Sequence, residues 1–529
     1  MRVQLLSCFR CCFDFFAKQF QLLEDKSKLF MIISLSLSTA AVLIDAPLMP
    51  VALPTIQKQL HLSNVLAEWV INAYALALAS LFLLGGKVAD IFGHRRIYCI
   101  GITCCILGSL SCGFATAEVH LILSRVLQGI GAGLMIPSSM AILIENSLPQ
   151  ERGRGIGILV SIASIFVSIA PCVGGAVTEL VSWRGVFWLN LPLLVLAKIL
   201  ALFYIPKSKK MQESFDFWGF IFFACGFTSM ILGLMFSRKG LEFPIPSFLL
   251  FILGALMFLL LFDHLKRQVH PFIDYQLFKN PTFSLGNILI FFTQFLIMIS
   301  VYWIMYFQKG LGFTPIKAGL FSLVSSCPLF FCAPLSGYLC DRYSPRLPCV
   351  LGFSMTCSAF LFFCLVQSHL TVAGLVFGLI CFGTGISLIM TPLGATTLGY
   401  TGSVKIGQAA GIYGTMRNSA TPFAVAVFGS MISNITFVKF SRKIAHEMQI
   451  PIQEASFYMS LFFREGQIDF NFLSLPLDKS LFFQQVFYDS LKDSMFYCNL
   501  LCFIVSFICL LISAFYLPCK TKSKLKAYS

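Results

Sequence analysis

Long apolar runs, separated by short polar segments, organise nearly the whole chain. Most runs hold about 18–25 residues, the length that an α-helix needs to cross a hydrocarbon core of about 30 Å. The pattern therefore predicts fourteen membrane-spanning helices, numbered here in chain order. They lie near 29–49, 66–87, 97–115, 119–144, 155–179, 184–205, 215–236, 246–265, 281–306, 315–340, 346–366, 371–399, 405–436 and 491–517.

Composition supports a membrane protein. Of the 529 residues, 57% are hydrophobic and only 12% are charged, whereas about a quarter of an average soluble domain is charged. The net charge of +15 lies in short loops rather than on one basic face, which argues against nucleic-acid binding. We therefore expect an all-α polytopic protein held in a lipid bilayer.

The distribution of Lys and Arg predicts its orientation. With both termini inside, the cytoplasmic segments hold 23 Lys and Arg and the short outer loops hold six. Cytoplasmic loops of membrane proteins carry this excess of positive charge. The expected location is the inner (cytoplasmic) membrane, crossed many times, with both termini in the cytoplasm.

A pattern in the first half recurs in the second half at a constant displacement of 251 residues. Two such matches, in helices 2 and 10 and in helices 5 and 13, predict duplicated six-helix bundles with helices 7 and 8 inserted between them. Transporters built this way place their site at the repeat interface, near the middle of the membrane. The matches are Gly86, Asp90 and Arg95 with Gly337, Asp341 and Arg346, and Pro171 with Pro422.

This duplication gives the predicted domain organisation. A cytoplasmic segment precedes the first bundle, the inserted helices and linkers follow it, and an outer loop interrupts the second bundle before a basic tail. The boundaries are 1–28 for the segment, 29–206 for the first bundle, 207–280 for the insertion, 281–517 for the second bundle with its loop at 437–490, and 518–529 for the tail.

Charge is concentrated after helices 2 and 10. Gly93 permits a tight turn there, and a carboxylate and a guanidinium beside it can pair with each other or with helix ends. The pattern predicts a conformational latch, with a simple positive-inside anchor as the alternative. The latch residues are Gly86, Asp90, Gly93, Arg95, Asp341 and Arg346.

Four charged residues fall at membrane depth, where a charge costs roughly 2.5–3.5 kcal/mol on insertion scales. Asp45 is predicted to load and release a proton; the alternative is a static partner for a helix dipole or an arginine. Arg125 keeps its proton, so it biases a carboxylate, binds an anionic group, holds water or completes a structural ion pair. Arg417 is placed at mid-depth, and Lys198 is expected to extend toward the cytoplasm.

Six segments carry a family resemblance. "GGKVADIFGHRR" (85–96) resembles the loop signature of the major facilitator superfamily. The other five resemble motifs of its fourteen-helix drug:proton antiporter branch, although Ala170 stands where the antiporter motif usually has Gly, and Ile91, His94 and Ser344–Pro345 depart from the loop pattern. These five are "LIDAPLMPVALPTI" (43–56), "SRVLQGIGAG" (124–133), "APCVGG" (170–175), "WRGVFWLNLP" (183–192) and "GIYGTMRNSA" (411–420).

The resemblance implies a major facilitator-type fold and proton-coupled efflux of small amphipathic molecules or drugs. It implies that Asp45 and Arg125 couple protons, and that Pro171, Gly174 and Gly175 form the antiporter motif of helix 5. It also places helices 1, 4, 9 and 12 around a substrate cavity, with their neighbours flanking it. The cavity candidates are Asn72, Tyr74, Gln128, Gln294, Tyr302, Trp303, Tyr306, Thr391 and Arg417.

Other functions are less well supported. The sequence contains no phosphate-binding G-x-x-x-x-G-K-[ST] motif, no H-E-x-x-H and no nucleophile constellation, so we expect neither an enzyme nor a cofactor. Cys8, Cys11 and Cys12 lack a nearby fourth ligand and are interpreted as interfacial apolar residues, so no metal is expected. An uptake or exchange carrier and a non-transporting receptor remain alternatives, and periplasmic or outer-membrane export partners are a further expectation.

Overall fold

The computed structural model is helical throughout the part of the chain that it describes. Twelve helices there are long and apolar enough to cross a membrane, and two further apolar stretches, Ile169–Leu180 and Phe217–Gly233, are shorter. The all-α membrane class is therefore confirmed, and the count of fourteen spans stays a prediction. The described residues are 26–146, 152–207, 216–236, 245–268, 275–366, 371–399, 406–449, 451 and 477–517.

Helices 1 and 6 of the first bundle are each divided at one residue, Ile44 and Leu189. Pro47 and Pro192 lack the amide hydrogen that would bond to the carbonyl four residues earlier. The backbone remains helical at both divisions, because the amides of Ile44 and Leu189 still bond to the carbonyls of Ala40 and Gly185. The elements are α1a (Lys26–Leu43), α1b (Asp45–Gln59), α2 (Asn64–Phe92), α3 (His94–Gly113), α4 (Glu118–Glu145), α5 (Arg152–Leu180), α6a (Arg184–Trp188) and α6b (Asn190–Tyr204).

The inserted helices precede a second bundle whose first helix is likewise divided at one residue, Met298. No proline follows three residues later, and the amide of Met298 still bonds to the carbonyl of Gln294. The elements are α7 (Phe217–Phe236), α8 (Ile245–Arg267), a short 3-10 helix (Tyr275–Lys279), α9a (Pro281–Ile297), α9b (Ile299–Lys309), α10 (Pro315–Arg342), α11 (Arg346–Val366), α12 (Val372–Gly399), α13 (Ile406–Met448) and α14 (Leu477–Tyr516).

The duplication is visible in glycines that let helix backbones approach closely. A Cβ added to Gly131 would lie 2.6 Å from the carbonyl oxygen of Gly101, and one added to Gly385 would lie 2.7 Å from that of Gly352. Each contact thus joins α4 to α3 and, 251–254 residues later, α12 to α11. The same displacement relates Gly129 against Tyr74 to Gly383 against Ser325.

The two bundles meet along α2 with α13 and along α5 with α10. Gly414 of α13 contacts Phe82, and Gly429 contacts Glu68, so α2 and α13 pack together over several turns. We name the two ends of the molecule after residues between helices: the Gly93 end, between α2 and α3, and the Trp183 end, between α5 and α6a.

The expected outer loop at 437–490 is partly helical, which corrects the predicted ends of helices 13 and 14. Helix α13 continues to Met448 and α14 begins at Leu477. Buried aromatic residues, including Phe440 and Phe483, pack between the extensions. Two exposed ion pairs, Lys439–Asp493 and Lys443–Asp489, also join them. We call residues 437–448 and 482–493 the projecting pair.

Candidate functional site

A buried ion pair joins helix 1 to helix 4 in the first bundle. Arg125 of α4 is fully buried and Asp45 of α1b is 4% exposed. The two guanidinium NH groups of Arg125 donate to the two carboxylate oxygens of Asp45, each over 2.7 Å. This two-pronged geometry is the strongest form of a charged hydrogen bond between side chains.

Two further donors of Arg125 are also bonded. Its Nε donates to the carbonyl of Val70 over 2.8 Å, and Nη1 donates to Oε1 of Gln128 over 2.8 Å. Gln128 in turn donates to Ser109 over 3.0 Å. The guanidinium carbon lies 4.4 Å from the centre of the Tyr74 ring, within the range of a cation–π contact.

Asp45 lies where Pro47 removes one backbone hydrogen bond from helix 1. Both of its carboxylate oxygens are held by Arg125. A buried charge pair is tolerated only with such complete partnering.

The second bundle carries a different cluster. Arg417 of α13 is half-buried, and its Nε donates to Oε1 of Gln294 on α9a over a long 3.4 Å. Gln294 donates to the hydroxyl of Thr421 over the same distance. The structure thus brings together Gln294 and Arg417, two of the predicted cavity residues, and separates them from the pair formed by Asp45 and Arg125.

Other cavity candidates lie inside the bundles. The ring of Trp303 packs among Phe360, Phe363 and Phe382, and its Nε1 donates to Asn499 over 3.1 Å. This places Trp303 in the core of the second bundle rather than between the bundles.

The four remaining candidates are placed as follows. Tyr302 donates to the carbonyl of Val425 over 2.7 Å. Tyr306 lines a small pocket beside Trp303. Asn72 is fully buried. The methyl group of Thr391 faces Gly337.

The helix 5 motif lies against the other bundle. A Cβ on Gly175 would lie 2.6 Å from the carbonyl oxygen of Pro315, and Gly319 packs on the carbonyl of Pro171. Gly174 packs against Leu48 of α1b. These glycines allow α5 and α10 to meet closely at the Trp183 end.

The predicted latch residues lie near the turn between α2 and α3 and the turn between α10 and α11. Gly93 adopts φ 95°, a backbone conformation that glycine reaches without strain. Arg95 donates to the carbonyl of Leu202 in the last turn of α6b over 2.7 Å, so it contacts a helix end. Gly86 faces Pro137, and Arg346 begins α11. The side chains of Asp90 and Asp341 lie outside the described residues.

Three contacts between the bundles at the Trp183 end were not anticipated. Lys309 donates to Oε1 of Gln57 over 2.6 Å, and Gln308 donates to the carbonyl of Val51 over 3.1 Å. Glu179 accepts a bond from the amide of Ile316 over 3.0 Å. A signal did exist, because Gln57 and Lys58 recur as Gln308 and Lys309 at the displacement of 251.

Within the described side chains, no group of His, Cys, Asp and Glu could hold a metal ion. The cluster of Cys8, Cys11 and Cys12 lies outside the described residues, so its interpretation is not tested. Lys198 donates to the hydroxyl of Thr103 over 2.9 Å.

Comparison with known proteins gives a consistent result. The family described as Major Facilitator Superfamily matches residues 35–425. The multidrug resistance protein Stp of Mycobacterium tuberculosis is 28% identical over 415 residues, covering 77% of this chain and 76% of that protein. The riboflavin transporter RibZ of Clostridioides difficile is 27% identical over 420 residues, covering 77% of this chain and 89% of that protein.

A solved structure shares the fold. It is a bacterial homolog of the human lysosomal transporter Spinster in an inward-facing, unoccupied conformation. It superposes with a TM-score of 0.64 at 15% identity, covering 93% of this chain and 98% of that chain. At this identity the likeness concerns the arrangement of helices alone.

Proposed function

The chain belongs to the major facilitator superfamily, and we propose that it exports small amphipathic molecules or drugs in exchange for protons by alternating access. Membership of this family makes it a multi-pass membrane transporter rather than an enzyme. The similarity to a multidrug resistance protein and the close packing of the helix 5 motif support export.

The observation that carries the proposal is the buried pair of Asp45 and Arg125. A carboxylate beside a guanidinium favours its charged form, and opening of that contact favours the neutral form. Asp45 would therefore take up a proton when the pair opens on one side of the membrane and release it when the pair re-forms. One proton crossing about 100 mV releases roughly 2.3 kcal/mol, enough for a solute gradient near fiftyfold.

The contacts between the bundles indicate how access would alternate. Three hydrogen bonds and the paired glycines of α5 and α10 close the Trp183 end. We place the Gly93 end in the cytoplasm of an inner membrane, with the termini, because the surplus of Lys and Arg lies there. Rocking of the two bundles would then break the contacts of the Trp183 end and release substrate outward.

The test uses the purified protein reconstituted in liposomes, with Asp45→Asn as the variant. The substitution keeps the shape of the side chain but removes its ability to ionise. We expect loss of substrate-dependent proton movement, while substrate exchange without a proton gradient continues. Asp216→Asn is the matched control, at a buried carboxylate that immediately precedes α7 and pairs with His264 of α8. Normal proton coupling by Asp45→Asn would contradict the proposal.

A second candidate is an uptake or exchange carrier for a metabolite, which the similarity to a riboflavin transporter favours. Membrane vesicles of both orientations separate the two functions. Proton-driven accumulation in everted vesicles supports export, and accumulation in right-side-out vesicles supports uptake.

A further inference from the structure

Arg417 uses few of its guanidinium donors in hydrogen bonds within the protein. A guanidinium carries five N–H donors and keeps its charge at physiological pH. Among the residues whose side chains are described, Arg417 forms one hydrogen bond, to Gln294 over 3.4 Å. That separation exceeds the 2.7–3.2 Å typical of N–H···O bonds.

The carboxylates of Asp45 and Glu68 do not pair with Arg417. Asp45 is held by Arg125 through both of its oxygens. Glu68 abuts Gly429, which is twelve residues along α13 from Arg417, about 18 Å at the helical rise. Within the described part of the chain, Arg417 forms no ion pair with a carboxylate, so its charge is not neutralised by those residues.

The position of Arg417 points to the boundary between the bundles. One turn earlier on α13, Gly414 contacts Phe82 of α2 in the first bundle. Gln294, the partner of Arg417, lies on α9a, the first helix of the second bundle. An intramembrane charge is retained where it faces a partner or a wet cavity, and this boundary is where the proposed export cycle requires a cavity.

Aromatic residues lie next to Gln294, the hydrogen-bond partner of Arg417. Phe291 and Phe295 flank Gln294 on α9a, and both rings contact Phe423 of α13, with ring centres 5.6 and 6.0 Å apart. Phe291 and Phe423 are half-buried. Phe423 lies six residues along α13 from Arg417, about 9 Å at the helical rise. A ligand that reached both the charged donor and this half-buried aromatic face would be amphipathic.

We propose that Arg417, assisted by Gln294 and Thr421, binds the anionic group of the transported molecule, so that the substrates are amphipathic organic anions. The inference rests on the proposed transport function and narrows its substrate class. A carboxylate, sulfonate or phosphate would supply the counter-charge that Arg417 lacks, and its apolar part would lie on the ring of Phe423.

The experiment measures binding of matched probes to the full-length protein in detergent micelles at one pH, with empty micelles as the blank. The probes are 2-naphthoate, its neutral analogue 2-naphthamide and the cation 2-naphthylmethylammonium. We expect the wild type to bind 2-naphthoate about tenfold more tightly than the amide, as for a hydrogen bond to a charged group. Arg417→Gln should lose that preference and leave the affinity for the amide unchanged.

Two further variants make the result specific. Arg417→Lys keeps the charge but loses the planar fork, so it should retain a reduced preference for the anion even where Arg417→Gln folds poorly. Lys198→Gln removes another cation at membrane depth, one bonded to Thr103 within the first bundle, and should bind all three probes like the wild type.

The outcomes are distinct from those of the coupling test. The inference is overturned if the wild type binds 2-naphthoate no better than the amide or the cation, or if Arg417→Gln retains the preference. Because binding is measured without a proton gradient, a failure of Asp45 as the proton carrier would leave these results intact. Equally, if proton coupling were normal but the protein showed no preference for the anion, the inference about the substrate class would be rejected and the proposed transport function would stand.

Discussion

Two arginines lie at membrane depth on duplicated bundles and have opposite surroundings. Arg125 is fully buried, with its donors directed to a carboxylate, a carbonyl and an amide, and with its flat face on Tyr74. Arg417 is half-buried and reaches one amide oxygen over a long distance. Duplication of the scaffold has therefore not duplicated the charge chemistry.

The proposed function gives the two bundles different tasks. A charge pair that is complete within the protein has few donors left for a ligand, and its carboxylate is the group that the proposed cycle protonates. Arg417 keeps its charge at physiological pH and has donors left for an anion. We therefore propose that the first bundle couples protons and that the second recognises the substrate.

The largest expected effect comes from breaking the complete pair. Arg125→Leu would leave the carboxylate of Asp45 buried without its partner, and removing one member of a buried pair typically costs about 3–5 kcal/mol. Thermal and chemical unfolding in detergent should show this loss. Arg417→Leu should lose much less stability, because among the described residues it removes one long hydrogen bond.

The double variant Asp45→Leu/Arg125→Leu provides the control. It removes both charges, so it should be more stable than Arg125→Leu alone. If the two arginine variants lost equal stability, the contrast between the bundles would be wrong.

An intermediate effect should appear at the glycines that both bundles use for helix contact. Gly131→Ala and Gly385→Ala would each place a Cβ within 2.6–2.7 Å of a backbone oxygen, and overpacking of this kind costs about 1–3 kcal/mol. Unfolding measurements should show similar losses for the two substitutions, since the contacts are equivalent.

Glycines with more room serve as matched controls for that comparison. A Cβ on Gly86 would lie 3.7 Å from Pro137, and one on Gly337 would lie 3.8 Å from Thr391, which is ordinary van der Waals contact. Alanine should be tolerated at both positions. A loss at Gly131 without a loss at Gly385 would show that the second bundle is packed more loosely than the first.

The smallest effect concerns the contact between the bundles at the Trp183 end. Lys309→Ala removes a 2.6 Å hydrogen bond to Gln57, which should contribute about 1 kcal/mol net. Its loss would shift the equilibrium between the closed and open conformations of the Trp183 end about fivefold toward the open one. Distances between spin labels on α1b and α9b would report this shift.

Lys58→Ala changes the lysine at the equivalent position of the first bundle, which is exposed. It should leave those distances unaltered. An equal shift for both variants would contradict a specific role for Lys309.

The sequence predicted the helices, the duplication and the residues of the buried pair, because each depends on local pattern or spacing. The length of an apolar run identifies a span without tertiary information, and Asp45 and Arg125 are conspicuous because charge is rare at that depth. The resemblance of motifs identified the helix 5 glycines, and the structure shows that their segment contacts the other bundle.

The contacts that the sequence did not predict depend on which face of a helix packs against which neighbouring helix. Tyr302 and Trp303 are adjacent, yet the first bonds to α13 and the second lies among the aromatic rings of α11 and α12. The sequence predicts Lys309 in a loop after helix 9, whereas in the structure it ends α9b and donates a hydrogen bond to Gln57. The continuation of α13 to Met448 depends on Phe440 finding Phe483, a contact 43 residues away in the sequence.

The projecting pair has a mechanical consequence. Helix α13 has 43 residues, about 64 Å at the helical rise, which is roughly twice the thickness of a hydrocarbon core. If the bundles rock as proposed, a swing of the second bundle would displace the far end of this helix more than the part within the bundle. A fluorophore or antibody fragment attached there would then report each turnover from the aqueous phase.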